Sequence, residues 1–376
     1  MKDRCKLPYN LDSKDWYARR ELAKNPDTPG EALALLATDE NWRVREAVAK
    51  NPDTPGEALA LLATDGDWGI REAVAKNPNT PAETLDRLAT DGGWGVREAV
   101  AGNTNSPVEV LAVLAGDKNT DVRRAVAGNP NAPARALAVL ATDEDGRARH
   151  VVAKNSNAPA EALAQLATDE DWGVREAVAG NTNSPVKVLV KLAADKNTDV
   201  RREVAENVST PAEVLARLAT DKDWYVREAV AWNPRATDEM LAVLATDEDL
   251  VVREAVAKNP NAPAEALEVL AMDENIDVHR AVARNKNSPA WVLEKLLDDD
   301  DQDVHRLVAG NPNATGTILL RASRDRSPSV REAVARNPKI PPEAVKRLSL
   351  SKVSRIRKAL SENPAVPEHI RVGLIL

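Results

Sequence analysis

Apolar residues recur along this chain at helical spacing within a fixed period of 26 residues. In the copy at residues 51–76, Leu59 and Leu62 share one helical face, and after a polar break Ile70 and Val74 share another. The pattern therefore predicts two short helices in each period. Neither is long enough to bury its apolar face alone, so the periods are expected to stack on one another.

The ends of both helices carry recognisable polar signals. Thr54, Pro55 and Glu57 resemble a capping box, with Thr54 as the cap and Pro55 in the first helical position. Asp67 is placed to cap the second helix, which we predict to be the shorter one and to span Trp68 to Lys76. The sequence thus predicts where each helix begins.

An asparagine opens every period and ends the second helix of the period before it. Pro78 disfavours helical backbone at Asn77, and asparagine also tolerates the left-handed turn that closes many helices. We interpret this asparagine column as structural, capping a helix and bonding to a neighbouring turn, rather than as a row that binds ligand. Its members are Asn25, Asn51, Asn77, Asn103, Asn129, Asn155, Asn181, Asn207, Asn233, Asn259, Asn285, Asn311, Asn337 and Asn363.

The predicted fold is an all-α solenoid with a core of Leu, Val and Ala. We expect a lead-in or cap at residues 1–15, the repeat array at residues 16–362 and a partial repeat or cap at residues 363–376. Each repeat should contact mainly its neighbours. The unbroken period argues for one continuous array rather than several globular domains.

One framework of residues repeats along nearly all of the chain and carries a family resemblance. It reads Val-Arg-x-x-Val-Ala-x-Asn-Pro-x-Thr-Pro-x-x-x-Leu-x-x-Leu-Ala-x-Asp and stands at Val44 to Asp65. This framework resembles the leucine-rich repeat variant family. The resemblance implies a right-handed superhelix of alternating α-helices and short 3₁₀ helices without strands, a scaffold or interaction role, and no enzymatic activity. Some members carry an iron–sulfur cluster, but this chain has only Cys5, so that property does not carry over.

Composition narrows the class of protein further. The net charge is −8, and residues 321–376 carry 13 Lys and Arg against 5 Asp and Glu, so an acidic body precedes a basic end. A single cysteine excludes a disulfide framework. The first residues lack the apolar stretch of a signal peptide, and no apolar run is long enough to span a membrane. We therefore expect a cytoplasmic protein with no membrane partner.

A basic column occupies one position of the second helix, and we name it the Arg column. It suggests a ladder that tracks phosphates, or else arginines neutralised by local acids such as Asp67 beside Arg71 and Asp145 beside Arg149. We favour pairing, which would leave the column electrically silent. Its members are Arg45, Arg71, Arg97, Arg123, Arg149, Arg175, Arg201, Arg227, Arg253, His279, His305, Arg331 and Arg357.

A tryptophan column begins the second helix at Trp16, Trp42, Trp68, Trp94, Trp172 and Trp224, and Trp232 stands at a variable position near the end of that helix. Two interpretations remain open. The rings either fill gaps between adjacent loops, which we favour, or form a ridge of aromatic anchors for a partner. As candidate partner-binding residues we name Trp42, Trp68, Trp94, Trp172, Trp224 and Trp232.

Two acidic or imidazole features are candidates for metal binding. His279 and His305 lie one period apart, too far to share one ion, so we interpret them as variation within the Arg column. The run Asp298 to Asp301 could attract calcium, but it lacks the loop glycine of a known motif, and a solvated turn is favoured. We find no nucleophile–base set and no phosphate-binding glycine loop, and we predict no metal, cofactor or catalytic site.

The predicted function is a non-catalytic scaffold that binds a protein or peptide through variable positions on a fixed core. The alternative is a nucleic-acid-binding repeat that uses the Arg column and the basic end. That end could also meet the acidic body of another copy, giving salt-dependent self-association. Its candidate residues are Arg321, Arg324, Arg326, Arg331, Arg336 and Arg347.

Overall fold

The computed structural model of the chain describes residues 14–374, which form two compact units divided after Leu192. Over the described residues the chain folds into 28 α-helices and one 3₁₀ helix, with no strand. The all-helical repeat solenoid predicted from the period is therefore confirmed. Cys5, most of the predicted lead-in at residues 1–15 and the last two residues of the predicted C-terminal partial repeat lie outside the described residues.

Helices of nine and seven residues alternate along the first unit. It contains α1 Trp16–Lys24, α2 Gly30–Leu36, α3 Trp42–Lys50, α4 Gly56–Leu62, α5 Trp68–Lys76, α6 Ala82–Leu88, α7 Trp94–Gly102, α8 Val108–Leu114, α9 Thr120–Gly128, α10 Ala134–Leu140, α11 Gly146–Lys154, α12 Ala160–Leu166, α13 Trp172–Gly180 and α14 Val186–Leu192.

The second unit repeats this alternation with small changes near its end. It contains α15 Thr198–Glu206, α16 Ala212–Leu218, α17 Trp224–Trp232, α18 Asp238–Leu244, α19 Leu250–Lys258, α20 Ala264–Leu270, α21 Ile276–Arg284, α22 Ala290–Lys295, the 3₁₀ helix Leu296–Asp298, α23 Gln302–Gly310, α24 Gly316–Ala322, α25 Pro328–Arg336, α26 Pro342–Ser349, α27 Ser354–Glu362 and α28 Glu368–Gly373.

The nine-residue helix has the ends that the sequence predicts. In α5 the Asp67 carboxylate accepts a hydrogen bond from the backbone N–H of Gly69 at 2.8 Å, which satisfies one of the unpaired donors of the first turn. Ile70 and Val74 are fully buried or nearly so. The prediction that this helix is the shorter of the two is wrong, since α4 has only seven residues.

The seven-residue helix begins differently from the predicted capping box. Pro55 is the N-cap rather than the first helical residue, and no side chain caps α4. The Thr54 hydroxyl instead donates at 2.6 Å to the carbonyl of Val48, on the preceding nine-residue helix. Threonine therefore satisfies a carbonyl at a helix C-terminus and ties the two helices together. At Thr237, which stands in place of this proline, the side chain does cap its own helix: it accepts a hydrogen bond from the backbone N–H of Met240.

The seven-residue helix also shows where the chain tightens. After α4, the N–H groups of Thr64 and Asp65 bond the carbonyls three residues before them, at 3.1 and 3.0 Å. This is the 3₁₀ pattern, and it shortens the helix before the polar turn. A separate 3₁₀ helix forms at Leu296–Asp298. The tightened element is thus the C-terminal end of the seven-residue helix.

Packing within each unit is dominated by the nine-residue helices, which lie side by side in successive repeats. Ala49, Ala75 and Ala101 are completely buried between them. Their small side chains let neighbouring helices approach closely, while the larger Leu59 and Leu85 fill the space beneath the seven-residue helices. The core of each unit is therefore a repeated layer of aliphatic side chains.

The asparagine column joins each repeat to the one before it. Asn77 is buried, and its Nδ2 donates to the carbonyls of Ala49 at 2.9 Å and Asn51 at 2.8 Å. Its Oδ1 accepts from the backbone N–H of Asn79 at 2.9 Å. The structural interpretation is confirmed, but the left-handed turn is not. Asn77 has φ −70° and ψ 127°, the extended backbone that a following proline requires.

We expect Asn77→Ala to destabilise the protein by about 1–3 kcal/mol, because it leaves buried backbone groups of two repeats without partners. The measurement is the urea midpoint followed by circular dichroism. Asn79→Ala is the comparison variant: Asn79 is exposed and its amide bonds a single exposed carbonyl of the preceding repeat, that of Pro52, so its effect should be smaller, about 0.5–1 kcal/mol. Equal midpoints for the two variants would contradict a structural role for the column.

Candidate interaction surface

The Arg column is paired, but with acids from the next repeat. Arg71 Nε lies 2.6 Å from Asp91 Oδ2 and Nη2 lies 3.1 Å from Oδ1, a two-pronged contact across 20 residues of sequence. Arg71 Nη1 also donates to the carbonyl of Asp65 at 2.8 Å. The predicted i,i+4 pairing with Asp67 is wrong, because that carboxylate caps α5 instead.

The same contact recurs throughout both units, with the arginine side chains only 6–22% exposed. The pairs are Arg19–Asp39, Arg45–Asp65, Arg71–Asp91, Arg97–Asp117, Arg123–Asp143, Arg149–Asp169, Arg201–Asp221, Arg227–Asp247 and Arg253–Asp273. These guanidinium groups are already ion-paired with carboxylates of the protein itself. They are poorly placed to follow a nucleic-acid backbone.

Each partner changes the acidity of the other. The hydrogen bond from Arg71 holds the pKa of Asp91 below its usual value, and Asp91 raises the pKa of Arg71. Both groups therefore remain charged across the neutral range. We name this series of pairs the Arg–Asp ladder. Its charges cancel pair by pair, so the predicted neutralisation occurs, but with a different partner.

The two histidines take the place of arginine in the same ladder. His279 Nδ1 lies 2.6 Å from Asp299 Oδ2, and His305 Nδ1 lies 2.7 Å from Asp325 Oδ2. Their interpretation as variation within the Arg column fits this placement. Farther on, Arg331 donates to the carbonyls of Asp325 and Arg326, and Ser351 stands where its carboxylate partner would be.

The acidic run at Asp298–Asp301 is occupied by side chains of the protein itself. Asp298 pairs with Arg321, Asp299 with His279, and Asp301 with Arg280 at 2.7 Å. Asp301 also caps α23. Among residues 14–374 no group of three or more Asp, Glu, His or Cys is arranged to hold a metal ion. The run acts as a set of ion pairs and helix caps.

The tryptophan column lies on the surface. The exposed fraction is 36% for Trp16, 42% for Trp42, 63% for Trp68 and 51% for Trp94. Each ring is therefore partly covered and partly exposed, and both gap filling and partner binding stay predictions. The polar turn before each nine-residue helix leaves the first residue of that helix outside the packed layer, and a ring placed there meets solvent.

The remaining candidate rings are similarly half-exposed: Trp172, Trp224 and Trp232. Trp224 also packs edge-on against Tyr225, with ring centroids 5.3 Å apart. Sequence reasoning missed Trp291, which is exposed on a short helix outside the column. We name the run of three consecutive repeats, Trp42, Trp68 and Trp94, the tryptophan ridge.

The candidate residues of the basic end are mostly exposed. Arg321, Arg324, Arg326, Arg336 and Arg347 are exposed, and Arg331 is half-buried. Arg336 pairs with Glu332 at 2.7 Å. Among these six candidates, Arg336 alone lines an open groove of about 480 Å³.

Three further basic residues line that groove: Arg284, Lys286 and Arg306. Arg284 belongs to one repeat and Lys286 and Arg306 to the next, and Arg336 belongs to the repeat after that, so the four residues are separated in the sequence. The signal that could have found them is the 26-residue offset, which places Arg284 and Arg336 at the same position two repeats apart. In this groove basic side chains of three successive repeats meet, and only Arg336 of them belongs to the basic end.

Comparison with known proteins points to one repeat family. The pattern of the leucine-rich repeat variant family matches residues 42–67, 68–92, 120–145, 198–223 and 250–275. A solved structure described as a leucine-rich repeat variant with a novel repetitive structural motif is 30% identical, covering 59% of this chain and 87% of that one, with a TM-score of 0.44.

Other solved structures are more distant. An engineered protein is 21% identical and covers 97% of each chain, with a TM-score of 0.21. Importin beta is 12% identical and covers 97% of this chain and 58% of its own, with a TM-score of 0.35. No curated protein sequence matches the chain. None of the helices described here has the length and apolar character needed to cross a bilayer.

We expect Asp91→Asn to lower the free energy of unfolding by about 1–3 kcal/mol at pH 7, because it removes the charged partner of Arg71. The pKa of Asp91 is depressed by folding. Its contribution is therefore present above the unfolded value of about 3.9 and is lost as the pH falls through the folded value.

The check is urea unfolding of the wild type and the variant at pH 7 and near pH 3. Asp86→Asn is the matched control, since Asp86 is exposed and should give no difference at either pH. A loss for Asp91→Asn that is equally large at both pH values would contradict the ion-pair explanation.

Proposed function

The chain belongs to the leucine-rich repeat variant family, and we propose that it is a non-catalytic scaffold that binds a protein or peptide through its variable surface positions. The exposure of the tryptophan ridge is the observation that carries the proposal. Three large aromatic side chains in successive repeats face solvent, where hydration of their apolar surface is unfavourable. Aromatic side chains of this kind dominate the binding energy of protein interfaces.

The contrast between fixed and variable positions supports the same function. The leucine, valine and alanine positions are buried, and the asparagine positions are buried and hydrogen-bonded to the preceding repeat. Together they hold the repeats in one geometry. The residue after each tryptophan varies freely, as at Arg43, Gly69 and Tyr225. A partner can therefore be selected by surface changes that leave the core untouched.

The charge of the surface around the ridge favours a basic partner. Residues 42–102 carry ten Asp and Glu against seven Lys and Arg. Arg45, Arg71 and Arg97 are also held in the ladder. An acidic surface of this kind speeds the approach of a cationic partner, while the aromatic rings slow its release.

We expect the triple substitution Trp42→Ala, Trp68→Ala and Trp94→Ala to abolish capture of the proteins that the wild type retains from a lysate of its host, without loss of helical structure. The exposed rings contribute little to the core, so the variant should unfold at nearly the same urea concentration. Captured proteins are compared by mass spectrometry.

The matched control replaces three exposed apolar residues of the seven-residue helices, Leu35, Leu61 and Val113, with alanine. This control should retain the captured proteins. If the tryptophan variant keeps them, or if both variants lose them equally, the ridge is not the binding surface.

A second candidate function is nucleic-acid binding at the basic groove, which is favoured by the convergence of Arg284, Lys286, Arg306 and Arg336. Against it stand the paired Arg column and the acidic body, which repel a long polyanion. Glu332 also lies in the groove and neutralises part of its charge.

For the scaffold function we expect no gel-shift complex between micromolar protein and a 20-nucleotide RNA or DNA at about 50 mM salt. A complex whose affinity falls steeply with salt, and which disappears when Arg284, Arg306 and Arg336 are replaced by Glu, would move the function to nucleic acid. The Arg87→Glu variant serves as a control for added negative charge outside the groove.

A further inference from the structure

One arginine of the chain already lies against two rings of the tryptophan column. The Cζ atom of Arg43 is 5.4 Å from the ring centroid of Trp16 and 4.4 Å from that of Trp42. Both distances are within the range in which a guanidinium is attracted to an aromatic face. The space between the tryptophans of two successive repeats is therefore one that a guanidinium group can fill.

The next two repeats have the same rings without the arginine. Gly69 and Gly95 stand 26 and 52 residues after Arg43. By the repeat, Gly69 lies between Trp42 and Trp68, and Gly95 lies between Trp68 and Trp94. These two positions lack the side chain that covers the rings of the first pair.

The surroundings of the two glycines are open. A Cβ atom placed on Gly69 would meet only a carboxylate oxygen of Asp67, at 3.2 Å. On Gly95 it would meet only the carboxylate of Glu72, whose Oε2 is 3.6 Å away. Trp68, which borders both spaces, is also the most exposed ring of the column, whereas the two rings beside Arg43 are the less exposed Trp16 and Trp42.

The chemistry of these spaces selects a cation with a flat face. Aromatic rings supply the walls. Glu72 is paired with Lys76 through Oε1, and its other carboxylate oxygen, Oε2, lies beside the second glycine as a hydrogen-bond acceptor. A guanidinium stacks on an indole and donates to a carboxylate at the same time, whereas an ammonium is more strongly hydrated and lacks a planar face. Arginine therefore fits better than lysine.

We propose that the two spaces of the tryptophan ridge bind arginine side chains of an extended peptide, one between Trp42 and Trp68 and one between Trp68 and Trp94. The inference rests on the proposed scaffold function and names the chemistry of its partner. Arg43 shows the occupied form of the site within the same chain.

The repeat spacing sets the spacing of the arginines. Neighbouring helices pack about 8–10 Å apart. A polyproline II chain advances about 3.1 Å per residue with three residues per turn, so every third side chain falls on one face at intervals of about 9 Å. The expected motif is Arg-x-x-Arg in an extended segment.

The probe is a fluorescein-labelled peptide of four Arg-Pro-Pro repeats, titrated with the full-length protein and followed by anisotropy. We expect saturable binding that is several-fold weaker for the Lys-Pro-Pro peptide of equal charge. Binding should also be several-fold weaker for a peptide with the same number of arginines placed at every second position.

Two single variants test the location. Gly69→Arg places a guanidinium group of the protein itself between Trp42 and Trp68, and this should weaken binding of the arginine peptide about tenfold. Gly173→Arg is the matched control, because it adds the same charge at the equivalent position, where a Cβ would meet an aspartate oxygen at a similar 3.3 Å. The preceding repeat has glycine in place of tryptophan, so Gly173 does not lie between two tryptophan rings. It should leave the affinity unchanged. Trp68→Ala should weaken binding as strongly as Gly69→Arg.

The outcomes separate this inference from the broader function. Equal affinity for the arginine and lysine peptides, or equal effects of Gly69→Arg and Gly173→Arg, would overturn the arginine sites. Those results would leave the scaffold function to be decided by lysate capture with the triple tryptophan variant. If Trp68→Ala loses helical structure, the Gly69→Arg variant still decides, since a side chain at that position is accommodated in other repeats.

Discussion

The buried asparagine amide is the interaction on which the repeat depends. At Asn77 a single side chain donates to carbonyls of the preceding repeat at Ala49 and Asn51 and accepts from its own turn at Asn79. Aspartate offers no donor for those carbonyls, and glutamine carries its amide one methylene too far out. The amide therefore fixes how closely successive turns approach each other, and its full satisfaction makes the buried network rigid.

The Arg–Asp ladder holds the surface ends of the nine-residue helices in fixed positions. Trp68 and Arg71 belong to the same helix, and Arg71 is held by Asp91 of the next repeat. The rings are thus carried on helices that are fixed at their far ends by the asparagine amides and near their starts by ion pairs. Side chains presented from such a framework lose little freedom when a partner binds, which favours affinity.

Local features and the structural role of the asparagines were predictable from the sequence, whereas the partners of most other side chains that reach a neighbouring repeat were not. Asp67 before the nine-residue helix and Pro78 after it were sufficient to predict the bounds of α5, because caps and prolines act within a few residues. Thr54 was misassigned, because its hydroxyl serves a carbonyl of the preceding helix rather than its own. Arg71 was assigned to Asp67, four residues before it, because only the stacking of repeats brings the more distant Asp91 into contact.

Exposure was equally hard to predict. A tryptophan at the start of a helix can turn toward the core or away from it, and the spacing of apolar residues does not distinguish the two at a helix end. The groove at Arg284 and Arg336 has the same origin, since its residues converge through the stacking of repeats.

The bonds between repeats also constrain how such a chain can change its length. Ladder partners lie 20 residues apart, and the asparagine contacts lie 26 and 28 residues apart. Inserting or removing any multiple of 26 residues restores all three kinds of contact together, whereas any other length breaks them together. Residues 94–114 and 172–192 are nearly identical and lie 78 residues apart, three whole periods. Recombination between these two copies would add or remove three whole repeats and leave the phase of the array unchanged.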